Sequence, residues 1–381
     1  MSGEAASARA APWGERVALT AVFLANGIGI GAWAASIAFL KARLALSDGE
    51  LGCALFAFAA GAIVAMSAAS RLALLSDAAR ATRYSALAFA GLLALPLLAA
   101  NVPALIGATF VVGAANGLMD VAMNAHASGV ERRWGAAIMS SFHAAFSVGG
   151  LVGAALGGLF AATGASAILG GGAVLAAALA VFAWPLLAAG DPVPPAAKIA
   201  LAIPMRAALP LCAAALLSAI CEGAMADWTG VYLADVVRTR PEATSLGYAA
   251  FSAAMVAGRL TGDGAVRAWG RARVVSWGAW LASAGLALAV FAPSLATAAI
   301  GFALVGIGLS NVVPVLFSAA SGLAASPAAG VAMAALGVYA GLLGGPVLIG
   351  AIAQGVGLRA AIGLLIVCAA AAALTARALR R

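Results

Sequence analysis

The chain has 381 residues, of which 65% are apolar and only 9% are charged. Soluble domains carry about 25% charged residues, so this composition excludes an ordinary soluble protein. Apolar runs long enough to cross a bilayer as a helix recur along the whole length. The net charge of +8 does not indicate a nucleic-acid partner, because the basic residues fall between the apolar runs. The sequence therefore predicts an all-α polytopic protein of the lipid bilayer.

Charged residues, prolines and glycines divide the apolar sequence into twelve predicted spans. Spans 1 to 6 cover residues 17–40, 49–70, 82–100, 103–126, 138–162 and 165–188. Spans 7 to 12 cover residues 207–235, 243–262, 273–292, 295–320, 328–352 and 357–377. The short loops leave no room for a soluble catalytic domain, and there is no P-loop pattern. We therefore expect no enzymatic activity.

The segment "GDPVPPAAKIALAIP" interrupts the apolar sequence at residues 190–204. Its prolines disfavour a continuous helix, and its charged residues favour water. It predicts a linker over residues 190–206, between an N-terminal six-helix half (1–189) and a C-terminal six-helix half (207–381).

The basic residues predict the orientation in the membrane. With the N-terminus placed in the cytoplasm, sixteen of the 21 lysines and arginines lie on the cytoplasmic side. The other five are Lys41, Arg43, Arg238, Arg240 and Arg359. Cytoplasmic loops carry an excess of Lys and Arg, so we expect both termini and the linker to be cytoplasmic.

Cysteine and histidine spacing does not indicate a metal site or another cofactor. The cysteines all lie within apolar runs, at Cys53, Cys212, Cys221 and Cys368. Their spacing fits neither a metal site nor a disulfide framework. The two histidines, at positions 126 and 143, are too few and too loosely placed to hold a metal ion.

Glycines recur at matching places in the two halves. Three glycines of span 5 reappear in span 11 at an offset of 192 residues: Gly149, Gly153 and Gly158 match Gly341, Gly345 and Gly350. Small residues at such spacing are common on close-packed helix faces. Their repetition in corresponding spans favours an internal repeat, which is typical of secondary transporters.

The two motifs "GGLVGAALGG" in span 5 and "GRLTGD" after span 8 resemble motifs of the major facilitator superfamily. The first is similar to its antiporter motif, with Ala154 in the place of the proline. The second resembles its loop motif, which implies a gating role for Gly258, Arg259 and Asp263. The corresponding first-half stretch, "SRLALLSDAARATR", departs from that motif. The resemblance implies two pseudo-symmetric six-helix halves that work by alternating access.

Three further stretches resemble a bacterial inner-membrane branch near the fucose permease group. They are "NGLMDVAMNAHASGVERRWG" in span 4, "MSSFHAAFSVGG" in span 5 and "EGAMADW" in span 7. Sugar–proton symporters of this group carry an acidic residue followed four later by Asn, and Asp120 and Asn124 match that pattern. The acidic residue of the group's first span has no equivalent, because the polar residue here is Asn26. The resemblance implies a cavity lined by spans 1, 4, 7 and 10.

Acidic side chains inside the spans are the candidate proton-coupling groups. Asp120 lies on one helix face with Asn116 and Asn124. An interhelical hydrogen-bond cluster is the structural alternative for this stripe. In span 7, Glu222 lies near the membrane midplane, and Asp227 is about 7.5 Å farther along and about 140° around the helix. Asp227 is therefore expected on another face of the helix. There it could bind the solute, take part in gating, or only anchor the helix at the membrane interface.

No Lys or Arg is predicted deep inside a span, since Arg259 is placed at the cytoplasmic end of span 8. A buried carboxyl group without a neighbouring cation is easier to bury in its protonated form, as proton coupling requires. The same absence disfavours an anionic solute and favours a neutral or cationic one. His143 is a further candidate proton relay, or simply a hydrogen-bonding residue.

Polar and aromatic residues of spans 1, 4, 7 and 10 are the candidate solute contacts. They are Asn26, Trp33, Asn116, Asn124, Trp228 and Asn311. Asn26 and Trp33 share a face two turns apart, and Asn311 precedes Pro314 where the backbone of span 10 is expected to open.

The sequence as a whole predicts a proton-coupled transporter of a small solute, functional as a monomer in the inner membrane. A symporter of a sugar-like solute fits the resemblance. An efflux antiporter for drugs or metabolites, and a non-transporting sensor of the same fold, stay open as alternatives.

Overall fold

The computed structural model describes residues 13–71, 77–136, 138–187, 205–321 and 327–375. These residues form thirteen α-helices, a few short 3-10 helices and no β-strand. The first six helices are α1 (Trp13–Arg43), α2 (Asp48–Arg71), α3 (Ala78–Leu92), α4 (Val102–Trp134), α5 (Met139–Leu159) and α6 (Ala165–Ala183). The others are α7 (Met205–Asp235), α8 (Leu246–Trp269), α9 (Arg271–Phe291), α10 (Leu295–Leu309), α11 (Val312–Ser321), α12 (Pro327–Val356) and α13 (Leu358–Thr375).

The predicted all-α polytopic fold is confirmed. Within the described ranges, eleven segments are long and apolar enough to cross a membrane. Predicted span 10 is broken into α10 and α11, which together form one of these segments. The remaining predicted span is α8, whose apolar sequence is interrupted by Arg259 and Asp263.

Two predicted span ends are wrong. Span 4 was expected to end at residue 126, but α4 continues to Trp134 and ends at Gly135, which has a left-handed φ of 75°. Span 8 was expected to end at residue 262, but α8 continues to Trp269 and ends at Gly270, with φ of 80°. The reason is the same in both cases: helices continue through charged residues that end an apolar run, and stop where glycine permits a positive φ.

The predicted linker lies almost wholly outside the described residues, since α7 begins at Met205. The domain limits at residues 189 and 206 therefore stay a prediction. Below, the first half denotes α1–α6 and the second half denotes α7–α13.

The glycine repeat predicted from the sequence corresponds to a repeated helix contact. Gly149 of α5 packs against the backbone of α1 at Leu24 and Ile28. Gly341 of α12 packs against the backbone of α7 at Leu216 and Ile220. These partners are also 192 residues apart, so the same close contact is built twice. Without side chains at these glycines, the two helix backbones approach closely enough to pack in direct contact.

One set of contacts between the two halves lies at one end of the bundle, here called the outer end, where α1 and α7 terminate at Arg43 and Asp235. Lys41 of α1 bridges Asp48 of α2, at 2.6 Å, and Asp235 of the second half. Nearby, the backbone nitrogen of Gly49 donates a hydrogen bond of 3.2 Å to Gln354 Oε1 of α12. On the predicted orientation this end faces away from the cytoplasm.

The close contact between α7 and α12 predicts a large difference between two glycines of the same helix. A Cβ at Gly341 would lie 2.8 Å from Ala219 Cβ, whereas a Cβ at Gly344 would meet nothing within 4 Å. Overpacking costs about 1–3 kcal/mol, so Gly341→Val should lower the thermal midpoint of the detergent-solubilised protein. Gly344→Val is the matched control and should leave the midpoint nearly unchanged. Equal midpoints for the two variants would contradict the described α7–α12 packing.

Candidate solute cavity

A cavity of about 300 Å³ lies between the two halves. Residues of α1, α2 and α4 line it from the first half, and residues of α7 and α12 from the second. Its polar and aromatic lining consists of Trp33, Phe58, Asn116, Asp120, Asp227 and Tyr339. The expectation that span 10 lines the cavity is not met here, because α12 and α2 occupy the walls instead.

Close packing of α2 on α4 forms one wall of the cavity. A Cβ added at Gly113 would lie 2.8 Å from Phe58 Cα, and one added at Gly117 would lie 2.6 Å from Ala62 Cα. This approach brings Phe58 of α2 and Asp120 of α4 to the same cavity. The spacing Gly113-x-x-x-Gly117 is the sequence signal for this contact.

The polar stripe of α4 both lines the cavity and holds helices together. Asn124 Nδ2 donates hydrogen bonds to the backbone oxygen of Asp120, at 2.8 Å, and to its Oδ1, at 3.1 Å. Asn26 Nδ2 of α1 donates a 2.9 Å hydrogen bond to Asn116 Oδ1. Asn116 and Asp120 line the cavity. Asn26 and Asn124 are not lining residues, but each donates a hydrogen bond to one of the two. The stripe therefore contains residues that line the cavity, as a functional role requires, and residues that only form hydrogen bonds to them, as in the structural alternative.

The two acids of α7 occupy different surroundings, as their separation of about 140° around the helix requires. Asp227 lines the cavity together with Asp120, whereas Glu222 is not part of the lining. The prediction paired Glu222 with Asp120, but in this structure Asp227 is the second-half acid that shares the cavity with Asp120.

Glu222 has a cationic neighbour, which corrects the expectation that no basic residue lies near it. Arg259 Nη2 of α8 is 3.5 Å from Glu222 Oε1. The prediction was wrong because it ended span 8 at residue 262, so that Arg259 seemed to lie at a helix end. In the structure Arg259 lies near the middle of α8, where its charge requires a partner.

Arg259 also reaches the other half of the molecule. Its Nη1 donates a 3.4 Å hydrogen bond to Ser147 Oγ of α5. Ser147 Oγ in turn donates to the backbone oxygen of His143, one turn away on α5, at 3.1 Å. The His143 ring meets the Phe23 ring edge-on, with centroids 5.4 Å apart. His143 thus lies beside the contact between Arg259 and α5, and does not line the cavity.

The "GRLTGD" motif lies inside α8, so the expectation of a loop at this point is wrong. Asn311, between α10 and α11, donates a 2.9 Å hydrogen bond to the backbone oxygen of Gly258. Gly262 leaves room for the same amide, since a Cβ there would lie 2.9 Å from Asn311 Nδ2. Asn311 therefore holds the break of span 10 against α8 and does not line the cavity. The side chain of Asp263 lies outside the described residues.

Two predicted tryptophan contacts have different environments. Trp33 lines the cavity and stacks on Phe58, with ring centroids 5.6 Å apart and planes at 12°. Trp228 is fully buried and lies outside the cavity lining. The predicted role of Trp228 in solute binding stays a prediction that this arrangement does not support.

No family model matches the chain. An uncharacterized transporter of Yersinia pestis, described as of the major facilitator type, is 36% identical to it over 384 residues, which covers 96% of each chain. The membrane protein MosC of Rhizobium meliloti is 34% identical over 375 residues, covering 93% of this chain and 90% of MosC. The chain belongs to the major facilitator superfamily.

Solved structures of this superfamily share the fold. The nucleoside transporter NupG aligns with a TM-score of 0.72 and 14% identity, covering 96% of this chain and 99% of NupG. A D-xylose-proton symporter aligns with a TM-score of 0.66 and 14% identity, covering 96% and 97%. At such identity the likeness shows the fold alone.

Two aromatic members of the cavity wall were missed from the sequence. Phe58 and Tyr339 belong to α2 and α12, which the superfamily resemblance had not placed at the cavity. An aromatic residue in an apolar span carries no polar signal, so periodicity does not distinguish it from a lipid-facing or core residue.

The ion pair between Arg259 and Glu222 predicts non-additive effects on stability. Arg259→Gln leaves Glu222 without its cation, so adding Glu222→Gln should recover part of the lost stability. The two side chains are 35% and 32% exposed, so we expect a coupling below about 1 kcal/mol. Thermal midpoints of the two single variants and the double variant measure this coupling. Arg267→Gln, at an exposed position of the same helix, is the control, and strict additivity would contradict the pair.

Proposed function

We propose that this protein is a proton-coupled secondary transporter that moves a small neutral or cationic solute by alternating access. The observation that carries the proposal is the cavity between the halves, which receives one acid from each half and no basic side chain among its lining residues. Membership of the superfamily supports transport across a membrane. The solute, its coupling to protons and the mechanism belong to the proposal.

Alternating access is supported by the way in which the halves meet. At the outer end, Lys41 pairs with Asp235, and Gly49 bonds to Gln354. A Cβ at Gly52 of α2 would lie 3.1 Å from Gly350 Cα of α12, so the helices are also in direct contact there. On the predicted orientation, this arrangement closes the cavity toward the outside. Opening would separate these contacts while the packing within each half is kept.

Proton coupling is assigned to three carboxyl groups, Asp120, Asp227 and Glu222. The first two face the cavity without a cation, so each is easier to bury with a proton. Protonation of Glu222 would remove its attraction to Arg259, which also contacts α5 of the other half. Glu222 can thereby link proton binding to the interface between the halves. His143, beside this contact, is proposed as an accessory proton carrier.

We also propose a location in the inner membrane, with both termini in the cytoplasm, and function as a monomer. The excess of basic residues on the predicted cytoplasmic side supports this orientation. Within the superfamily, we propose that the protein belongs to a branch near the fucose permease group. This proposal rests on the motifs of spans 4, 5 and 7 alone.

An efflux antiporter is the second candidate function. It is favoured by one observation, namely that Asp120 and Asp227 lie on the same cavity that would bind the solute. A solute that needs these acids ionised would exchange with protons instead of moving with them. A non-transporting sensor would keep the fold without coupling.

Alternating access predicts that a disulfide across the outer end stops transport. A Cβ at Gly49 would lie 3.8 Å from Gln354 Cβ, which matches the usual separation of about 3.8 Å in disulfides. In a Cys53→Ala background, Gly49→Cys with Gln354→Cys should crosslink on oxidation, lose transport and regain it on reduction. A protease site inserted in the linker reports the crosslink, because only crosslinked halves run as one band on a denaturing, non-reducing gel after cleavage. Each single variant is the control, and full transport by the crosslinked protein would contradict the mechanism.

The coupling assignment predicts that three conservative variants lose proton movement. Asp120→Asn, Asp227→Asn and Glu222→Gln should each reduce solute-dependent proton flux in proteoliposomes by about tenfold or more, because amides bind no proton at neutral pH. An internal pH-sensitive dye measures the flux. Glu50→Gln is the control, since Glu50 is an exposed acid that bonds only to Ser47 in the described structure.

Wild-type flux in both Asp120→Asn and Glu222→Gln would refute the assigned proton sites. No proton movement with any solute of a broad panel would favour the sensor instead.

A further inference from the structure

We propose that the solute is a small organic cation whose ammonium group binds at Asp120 and Asp227, beside the stacked rings of Trp33 and Phe58. The inference rests on the proposed transport through this cavity and narrows its solute to one charge class. It follows from the charge, the aromatic surface and the size of the cavity.

The charge of the cavity is unbalanced. Asp120 belongs to the first half and Asp227 to the second, and the described lining contains no Lys, Arg or His. One oxygen of Asp120 accepts the hydrogen bond from Asn124. Among the described residues, the carboxylate of Asp227 has neither an ion pair nor a hydrogen bond. A cation in the cavity would supply the partner that the described residues do not provide.

The aromatic surface of the cavity suits the same class of solute. The stacked rings of Trp33 and Phe58 line it, and Tyr339 of α12 adds a third ring from the second half. A cation over the face of an aromatic ring is attracted by the ring's electrons, and more strongly where water is excluded. Most of the remaining lining is aliphatic, so little else in the cavity competes for the charge.

The size and the remaining polar group limit the solute further. A cavity of about 300 Å³ lies at the lower end of ligand pockets, which favours a molecule no larger than a monosaccharide. Asn116 Oδ1 already accepts from Asn26, so the amide nitrogen of Asn116 is the group that can donate to a solute. This arrangement fits an amine that also carries a hydroxyl or ether oxygen.

A cation held between the halves also has a mechanical consequence. Because Asp120 is on α4 and Asp227 is on α7, binding one ammonium group attracts the two halves toward a common point. A neutral solute leaves the two acids to be neutralised by protons. An anionic solute would add a third negative charge to the cavity.

Matched ligands test the charge class directly. Glucosamine, glucose and glucuronate share one ring and differ in a cationic, neutral or anionic substituent; ethanolamine and ethylene glycol form a second matched pair. Each is added at millimolar concentration to the purified protein, and its dissociation constant is obtained from the thermal midpoint, because a ligand of the folded state stabilises it. We expect each amine to bind at least about tenfold more tightly than its neutral counterpart, which corresponds to about 1.4 kcal/mol.

Variants distinguish the cavity from other sites on the protein. Asp227→Asn should weaken amine binding at least about tenfold without changing the response to glucose, and the Glu50→Gln control should bind amines normally. Neutral ligands that bind as tightly as the amines, amine binding unchanged by Asp227→Asn, or no amine binding at all would each overturn the proposal.

The same proteoliposomes separate this inference from the proposed function. Proton-coupled flux of glucose without flux of glucosamine would keep the transporter and reject the cationic solute. Amine binding that requires Asp227, but without any solute flux, would keep the cation site and reject transport.

Discussion

The cost of an unpaired charge inside the membrane is the constraint on which the site depends. A carboxylate or a guanidinium in a membrane span costs several kcal/mol unless it is paired, hydrogen-bonded or in contact with water. This protein meets that constraint in two ways on one helix. Glu222 of α7 is paired with Arg259 of α8, whereas Asp227 faces a cavity. The first arrangement satisfies the charge within the protein, and the second leaves it to be satisfied by a proton or a solute.

Close helix packing sets where these charges can lie. The glycines of α5 and α12 allow direct backbone contact with α1 and α7, and those of α4 do the same with α2. Such contacts bring the walls of each half into fixed positions, since a backbone contact leaves no side chain to rearrange. The interface between the halves combines both kinds of contact, because the ion pair from Lys41 to Asp235 and the hydrogen bond from Gly49 to Gln354 lie beside a close glycine contact between Gly52 and Gly350.

The sequence predicted the fold well because the features that determine it are local. An apolar run of sufficient length specifies a span, and charges specify where the membrane ends. The same reasoning misplaced the ends of α4 and α8, since helical structure continues beyond the apolar run until a glycine terminates it. The misplaced end of α8 put Arg259 at the end of a helix instead of near its middle, so the partner of Glu222 was not predicted.

The cavity was harder to predict because it depends on contacts between distant helices. Periodicity showed that Glu222 and Asp227 face different directions, but not which of them meets Asp120. That outcome depends on how α7 is rotated against the first half. This rotation cannot be derived from the sequence pattern of α7 alone. The aromatic residues Phe58 and Tyr339 belong to helices without a polar signal, so only the assembled structure brings them to the site.

The placement of the acids also bears on how protons and solute would be coupled in the proposed transporter. If a cationic solute and protons use the same carboxyl groups, binding of one displaces the other, and the transporter exchanges them. Symport requires a proton site that the solute does not occupy. Glu222 meets this requirement, because it lies outside the cavity lining and acts on Arg259, which contacts the other half through Ser147. In the proposed mechanism, the direction of coupling would depend on which acid of α7 carries the proton: Asp227 would give exchange, and Glu222 would give symport.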